Sequence, residues 1–210
     1  MKNFFNLDNP VFQFLTRIAD LVICHLLCLL CCIPVVTIGA SFTALAKCTQ
    51  DMVLGDIGGT TRTFFSAFKE NFKQGTIVWL CAAVALTAVY CDFILLKLYV
   101  DGTLYTILAI VILVFLFLIL AMLSYLFPLM ARYENTVREH VHNAALLMIY
   151  KFPRTIAMVA LHICPFILMR YFPTIFLYTM PFWMFMGFAF LSQLDSTLLR
   201  PVFKELESLE

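Results

Sequence analysis

Long uncharged runs, rather than short alternations, organise this chain. Between Asp20 and Lys47 every position is uncharged, and Pro34 and Gly39 interrupt the run near its middle. Proline has no N–H to donate within a helix and clashes with the preceding turn, so a helix rising through residues 21–32 should stop or kink at Pro34. The pattern predicts a first helix over about residues 11–33, starting near Asn9-Pro10, and a second from Ile38 to about Leu54. Apolar stretches follow at residues 76–96, 104–131, 155–169 and 174–194, with Pro128 expected to bend the longest of them.

The polar intervals are as informative. Residues 56–61 read as a loop by composition. Phe64, Phe65, Phe68 and Phe72 then recur at helical spacing, with Lys69, Glu70, Lys73 and Gln74 between them. That pattern suits either an amphipathic helix in the membrane interface or a soluble helix packed on the end of a bundle. Residues 132–154 form a second polar segment, and the tail from Asp195 onward a third.

Of the 210 residues, 63% are hydrophobic and 13% charged, with a mean hydropathy of +0.95. Soluble domains carry about twice that charged fraction. Lipid must therefore face most of the surface, and the whole chain, residues 1–210, is expected to be a single polytopic membrane domain. A net charge of +1 offers no basic surface for nucleic acid and no acidic tail for a basic partner. The start lacks a basic cluster and an A-x-A site, so no cleavable signal is expected.

Lys and Arg counts orient the spans. Lys2, Arg17, Lys47, Arg62, Lys69, Lys73, Arg132, Arg138, Lys151, Arg154, Arg200 and Lys204 share one side in a six-span arrangement. The opposite turns, near residues 34–38, 97–103 and 170–173, hold only Lys97 and Arg170. The positive-inside rule makes the first side cytoplasmic and places both termini there. The fold expected is an all-α membrane bundle of about six transmembrane helices with amphipathic cytoplasmic helices. Five spans are the alternative, with residues 21–46 as one kinked crossing and the N-terminus outside. A similarity between residues 42–51 (FTALAKCTQD) and 127–136 (FPLMARYENT) speaks for that alternative.

Ionisable groups within apolar runs are costly and call for a partner or a role. In a hairpin, Asp20 ascends as Lys47 descends, so the two are a candidate intramembrane pair; snorkelling to the interface is the plainer reading. Pro34, Thr37, Gly39 and Ser41 form the helix-break motif. A candidate cytoplasmic interaction face comprises Lys69, Asn71, Lys73, Gln74, Arg132, Glu134 and Asn135. His25 and His162 stand alone among apolar residues and suit hydrogen bonds to a neighbouring helix. Cys24, Cys28 and Cys31 share a helical face beside His25. Thiols are also ordinary small residues at helix contacts, and no paired CxxC or HxxxH accompanies them, so no metal or cofactor is expected. No GxSxG, HExxH, Walker A or GxGxxG motif occurs, and no catalytic residue is assigned.

Several blocks together resemble the YesL family of bacterial membrane proteins. They are the Leu7-Asp8-Asn9-Pro10 lead after Phe4-Phe5, Ala19-Asp20-Leu21, and Ile33 through Ser41 with Ala44-Leu45. Phe68-Lys69-Glu70-Asn71-Phe72-Lys73-Gln74 and Pro128-Leu129-Met130-Ala131-Arg132-Tyr133 complete the set. His25 and Cys28 depart from that pattern, where Asn and Trp are expected. The resemblance implies a companion of carbohydrate-uptake systems, with sugar ABC transporter or sensor subunits as partners beside the lipid bilayer. A small stand-alone transporter of a sugar or other solute is the alternative, because helix breaks such as Pro34–Gly39 also build transporter sites. The family carries no established catalytic residue to transfer.

Overall fold

The computed structural model describes residues 10–55 and 59–208. The N-terminal lead up to Asn9 and residues 56–58 of the loop expected at 56–61 lie outside the described residues, and α3 already begins at Thr60. Within the described residues the chain is all helical: α1 (Pro10–Cys32), a 3-10 turn (Val35–Thr37), α2 (Ile38–Leu54), α3 (Thr60–Glu70), α4 (Phe72–Tyr99), α5 (Gly102–Arg132), α6 (Val137–Tyr150), α7 (Phe152–Tyr171) and α8 (Pro173–Glu207). Five of these, α1 from Gln13 onward, α4, α5, α7 and α8, are long and apolar enough to cross a membrane. The protein is an all-α, multi-pass membrane bundle.

Each boundary has a local cause. α2 ends where Gly55 takes a left-handed φ of 88° and returns its N–H to the carbonyls of Asp51 and Met52, a conformation that carries no Cβ penalty in glycine. α6 begins with a capping box: Glu139 N–H donates to Thr136 Oγ1 at 3.4 Å, and Thr136 N–H donates to the Glu139 carboxylate at 2.8 Å. Such a box satisfies two of the donors that a helix start leaves open.

The long helices form two antiparallel hairpins. α4 and α5 turn at Val100–Asp101, and Gln74 at the start of α4 donates to the carbonyl of Asn135 beyond the end of α5. α7 and α8 turn at Phe172; Lys151 pairs with Glu205, and His162 meets Asp195. Tyr125 of α5 bonds Thr155 of α7, which sets both tight turns at one end and the polar segment 132–154 at the other. The core between the hairpins gathers Tyr125, Leu129, Met158, Leu199 and Phe203.

α2 lies inside this arrangement and packs against α1, α3, α4, α5 and α8. Its 17 residues span about 25 Å at 1.5 Å each, less than the roughly 30 Å of a hydrocarbon core. Eleven of those residues are buried, many of them small, among them Gly39, Ala40, Ser41, Ala44 and Cys48. Small residues let backbones approach closely, which is how helices bind one another in lipid. A Cβ on Gly39 would overlap the carbonyl oxygen of Gly75 and come within 2.7 Å of Trp79 Cβ; one on Gly75 would lie 2.8 Å from Ala40 N.

The turn expected at Pro34–Gly39 forms, and Cys24 meets Cys48 as α2 folds back on α1. Its depth differs from the six-span expectation. Trp79 Nε1 donates to Val35 O at 2.8 Å, and Gly39 touches Gly75, so the tip sits beside the first two turns of α4. Tyr99, at the far end of α4, is about 30 Å further along at 1.5 Å per residue. The turn therefore does not join the outer turns at Val100–Asp101 and Phe172. Its apolar tip, with Ile33 74% and Val35 66% exposed, suits lipid rather than water.

Two outcomes follow. An impermeant thiol reagent added opposite the polar segments should label Asp101→Cys and Thr174→Cys in a cysteine-free background, and should leave Val36→Cys unmodified. Gly39→Ala should lower thermal stability in detergent, since overpacking costs about 1–3 kcal/mol. Val84→Ala, at a site 72% exposed, should leave it unchanged.

Candidate functional site

The helix-break motif closes the turn. Pro34 is extended (φ −75°, ψ 113°), and Thr37 is folded back so that its hydroxyl donates to the carbonyls of Cys31 and of Pro34, the latter at 2.7 Å. Ser41 Oγ donates to Thr37 O at 3.0 Å and Thr43 Oγ1 to Gly39 O at 2.9 Å. The Cys31 carbonyl, left open at the end of α1, thus finds a donor, as backbone inside a membrane must. Pro34, Thr37, Gly39 and Ser41 act together as an architectural unit.

The candidate pair Asp20 and Lys47 does not form. Asp20 Oδ1 accepts a hydrogen bond from Thr60 Oγ1 at 2.7 Å, at the start of α3. Lys47 Nζ pairs with Asp51 Oδ1 at 3.1 Å. The reason is local: residues four apart face each other on one helix, so Lys47 meets Asp51 without spanning to α1.

The polar face is partly consumed within the molecule. Asn71 Nδ2 donates to Ala67 O at 3.1 Å, tying down the junction of α3 and α4. Gln74 donates to Asn135 O at 3.1 Å. Arg132 forms an ion pair with Glu207 and lies over the Phe203 ring, 4.9 Å from its centroid. Lys69, Lys73 and Glu134 remain exposed. Beside them, the Thr136 N–H and hydroxyl hold the Glu139 carboxyl below its usual range. Burial lowers the neighbouring His140 imidazole, because desolvation disfavours its charged form.

The structure also assembles a site that the residue pattern did not reveal. A cavity of about 330 Å³ lies among α2, α4, α5, α7 and α8, within the size range of ligand pockets, roughly 300–1,000 Å³. Its polar wall consists of Ser124, His162, Ser192 and Asp195. Asp195, expected in the polar tail, is 6% exposed because α8 continues without interruption to Glu207. Its Oδ2 lies 3.3 Å from His162 Nε2, and its Oδ1 has no hydrogen-bond partner. His162 Nδ1 is 2.7 Å from Met158 O. A carbonyl only accepts, so Nδ1 carries a hydrogen. With Nδ1 protonated, a hydrogen bond between Nε2 and Oδ2 requires one further proton, on whichever atom it rests. Next to this pair, Thr49 of α2 bonds Ser192 at 2.8 Å and Ser196 at 2.9 Å.

The reason for the miss is the register of α7 against α8. A straight hairpin turning at Phe172 would set His162 opposite a residue near 182, about three and a half turns short of Asp195. The first turns of α8, which contain Pro181, therefore diverge from α7. The available signal was an acidic residue bordering an apolar run and a histidine within another, without any spacing to link them. Among the described residues no group of three or more His, Cys, Asp or Glu is arranged to hold a metal ion.

Helix composition and burial define the class, a multi-pass helical membrane protein. Residues 18–93, from α1 into α4, match the family described as "Protein of unknown function, DUF624". The chain is also 31% identical over 114 residues to the "Uncharacterized protein YteU" of Bacillus subtilis (strain 168), covering 54% of this chain and 50% of that protein. The match thus spans half the length of that relative. No solved structure matches. The family match includes the hairpin, Gly39 and Gly75, whereas His162 and Asp195 lie beyond it.

A double-mutant cycle in detergent separates the observed contacts from the expected one. Asp20→Asn and Lys47→Leu should be additive to within about 0.5 kcal/mol. Asp20→Ala and Thr60→Val should couple by about 1 kcal/mol, as the partners of one hydrogen bond do.

Proposed function

We propose that the protein is an accessory or regulatory subunit in the cell membrane, serving a bacterial carbohydrate importer of the ABC class through the polar end of its bundle. It binds and positions a partner and carries out no reaction itself. The resemblance to the YesL family supports the link to carbohydrate uptake, and the positive-inside count supports a cytoplasmic polar end with both termini on that side. The observation that carries the mode of action is the exposed trio Lys69, Lys73 and Glu134. These side chains stand on a platform whose backbone is fastened by Gln74 to Asn135 and by Arg132 to Glu207. Exposed charges on a fixed surface set register and encounter rate with a partner more than they add affinity.

Purification in mild detergent from bacterial cells that express a sugar ABC importer should recover an importer or sensor subunit. Charge reversal at Lys69 and Lys73 should reduce that recovery, while Val84→Ala should not. Repeated recovery of the chain alone would overturn the reading.

A second reading, a small stand-alone carrier, is favoured by the cavity around His162 and Asp195. Its wall is mostly apolar, and a sugar entering it would leave several hydroxyls without partners, at a cost of about 1–3 kcal/mol each. Solutes other than sugars fit it better. Uptake into proteoliposomes containing only this chain distinguishes the two readings.

A further inference from the structure

The cavity has a charge pattern that selects one class of ligand. Its ionisable lining groups are Asp195 and His162; the α2, α4 and α5 lining residues are apolar except for Trp79 and Ser124. Tyr125 of α5, outside the cavity lining, has its hydroxyl bonded to Thr155. No Lys or Arg lines the space. The rings of Phe42, Phe127, Phe166 and Phe188 line the same cavity with Trp79, and Phe42 stacks on Phe127 and meets Phe188 edge-on. Aromatic faces attract cations, the more so where water is excluded. A carboxyl group at this depth needs a proton or a counter-charge.

We propose that this cavity binds a hydrophobic organic monocation, an amine or quaternary ammonium with aromatic or alkyl substituents, in exchange for the proton held between His162 and Asp195. One positive charge enters and one proton leaves to water, so the charge in the cavity is unchanged. Bound cation rests against the Asp195 carboxylate and the aromatic walls, and His162 returns to its neutral form with Nδ1–H on Met158 O. A neutral ligand of the same shape lacks the exchange and gains only apolar burial. The site is independent of the accessory-subunit reading, since the purified chain alone contains all of it.

The chain has two tryptophans, and Trp79 lines the cavity. In a Trp183→Phe background, Trp79 emission is followed in weakly buffered detergent while benzyltrimethylammonium is added. The parallel titration uses its uncharged carbon isostere, neopentylbenzene. The cation is expected to change Trp79 emission saturably and to release about one proton per cation bound. Its apparent affinity should fall about tenfold per pH unit on the acid side, as linkage to one proton requires. Asp195→Asn should abolish proton release and weaken binding at least about tenfold, a difference of roughly 1.4 kcal/mol. Ser124→Leu, which fills space and leaves the pair intact, should weaken binding without changing the elution profile. It decides the matter even if Asp195→Asn does not fold. The proposal is overturned if neopentylbenzene matches the cation, if binding releases no proton, or if the cation produces no response.

Discussion

Backbone contact between α2 and α4 at Gly39 and Gly75 is the constraint on which the bundle depends. Lipid tails are as apolar as leucine, so helices in a membrane gain little from burying apolar side chains against each other. They gain from close packing, and the absent Cβ atoms at Gly39 and Gly75 permit it where either side chain would collide with main chain. Once seated there, a helix too short to span the membrane reaches α1, α3, α5 and α8 together.

A buried helix rich in hydroxyls must satisfy them. Ser41 and Thr43 bond carbonyls one turn earlier in the chain, while Thr49 reaches Ser192 and Ser196 across the interface. Gln50 donates to Pro128 O at 3.0 Å, linking α2 to the proline-containing end of α5. Such contacts average about 0.6 kcal/mol in membranes. Individually they are weak; the bonds of Thr49 and Gln50 also supply register, since a slip of one residue would leave both unpaired.

The same helix shapes the cavity. Phe42 and Ala46 line it from α2, one and two turns after the glycine contact. The depth of α2 in the bundle therefore sets the width of the space above Asp195. α3, which carries Lys69, packs closely on α2, so the polar face and the cavity wall share one structural element.

The chain's pattern by itself determined the membrane class, the long apolar helices, the break at Pro34–Gly39 and the polar segments between spans, because hydropathy and proline act locally. It also contained the Thr136-x-x-Glu139 cap. It did not determine which charges meet. Lys47 had two acidic residues within reach of a plausible geometry, and only the packed α1–α2–α3 unit assigns Asp20 to Thr60 and Lys47 to Asp51. Nor did it show the depth of the hairpin, which depends on a glycine in α2 finding another in α4. Asp195 looked like the first residue of a polar tail, since composition changes there while the helix does not. Its meeting with His162 rests on the divergence of α8 from α7, a property of two helices and the turn between them. Local chemistry decides where a helix starts and stops; which side chains face one another is decided by how helices cross.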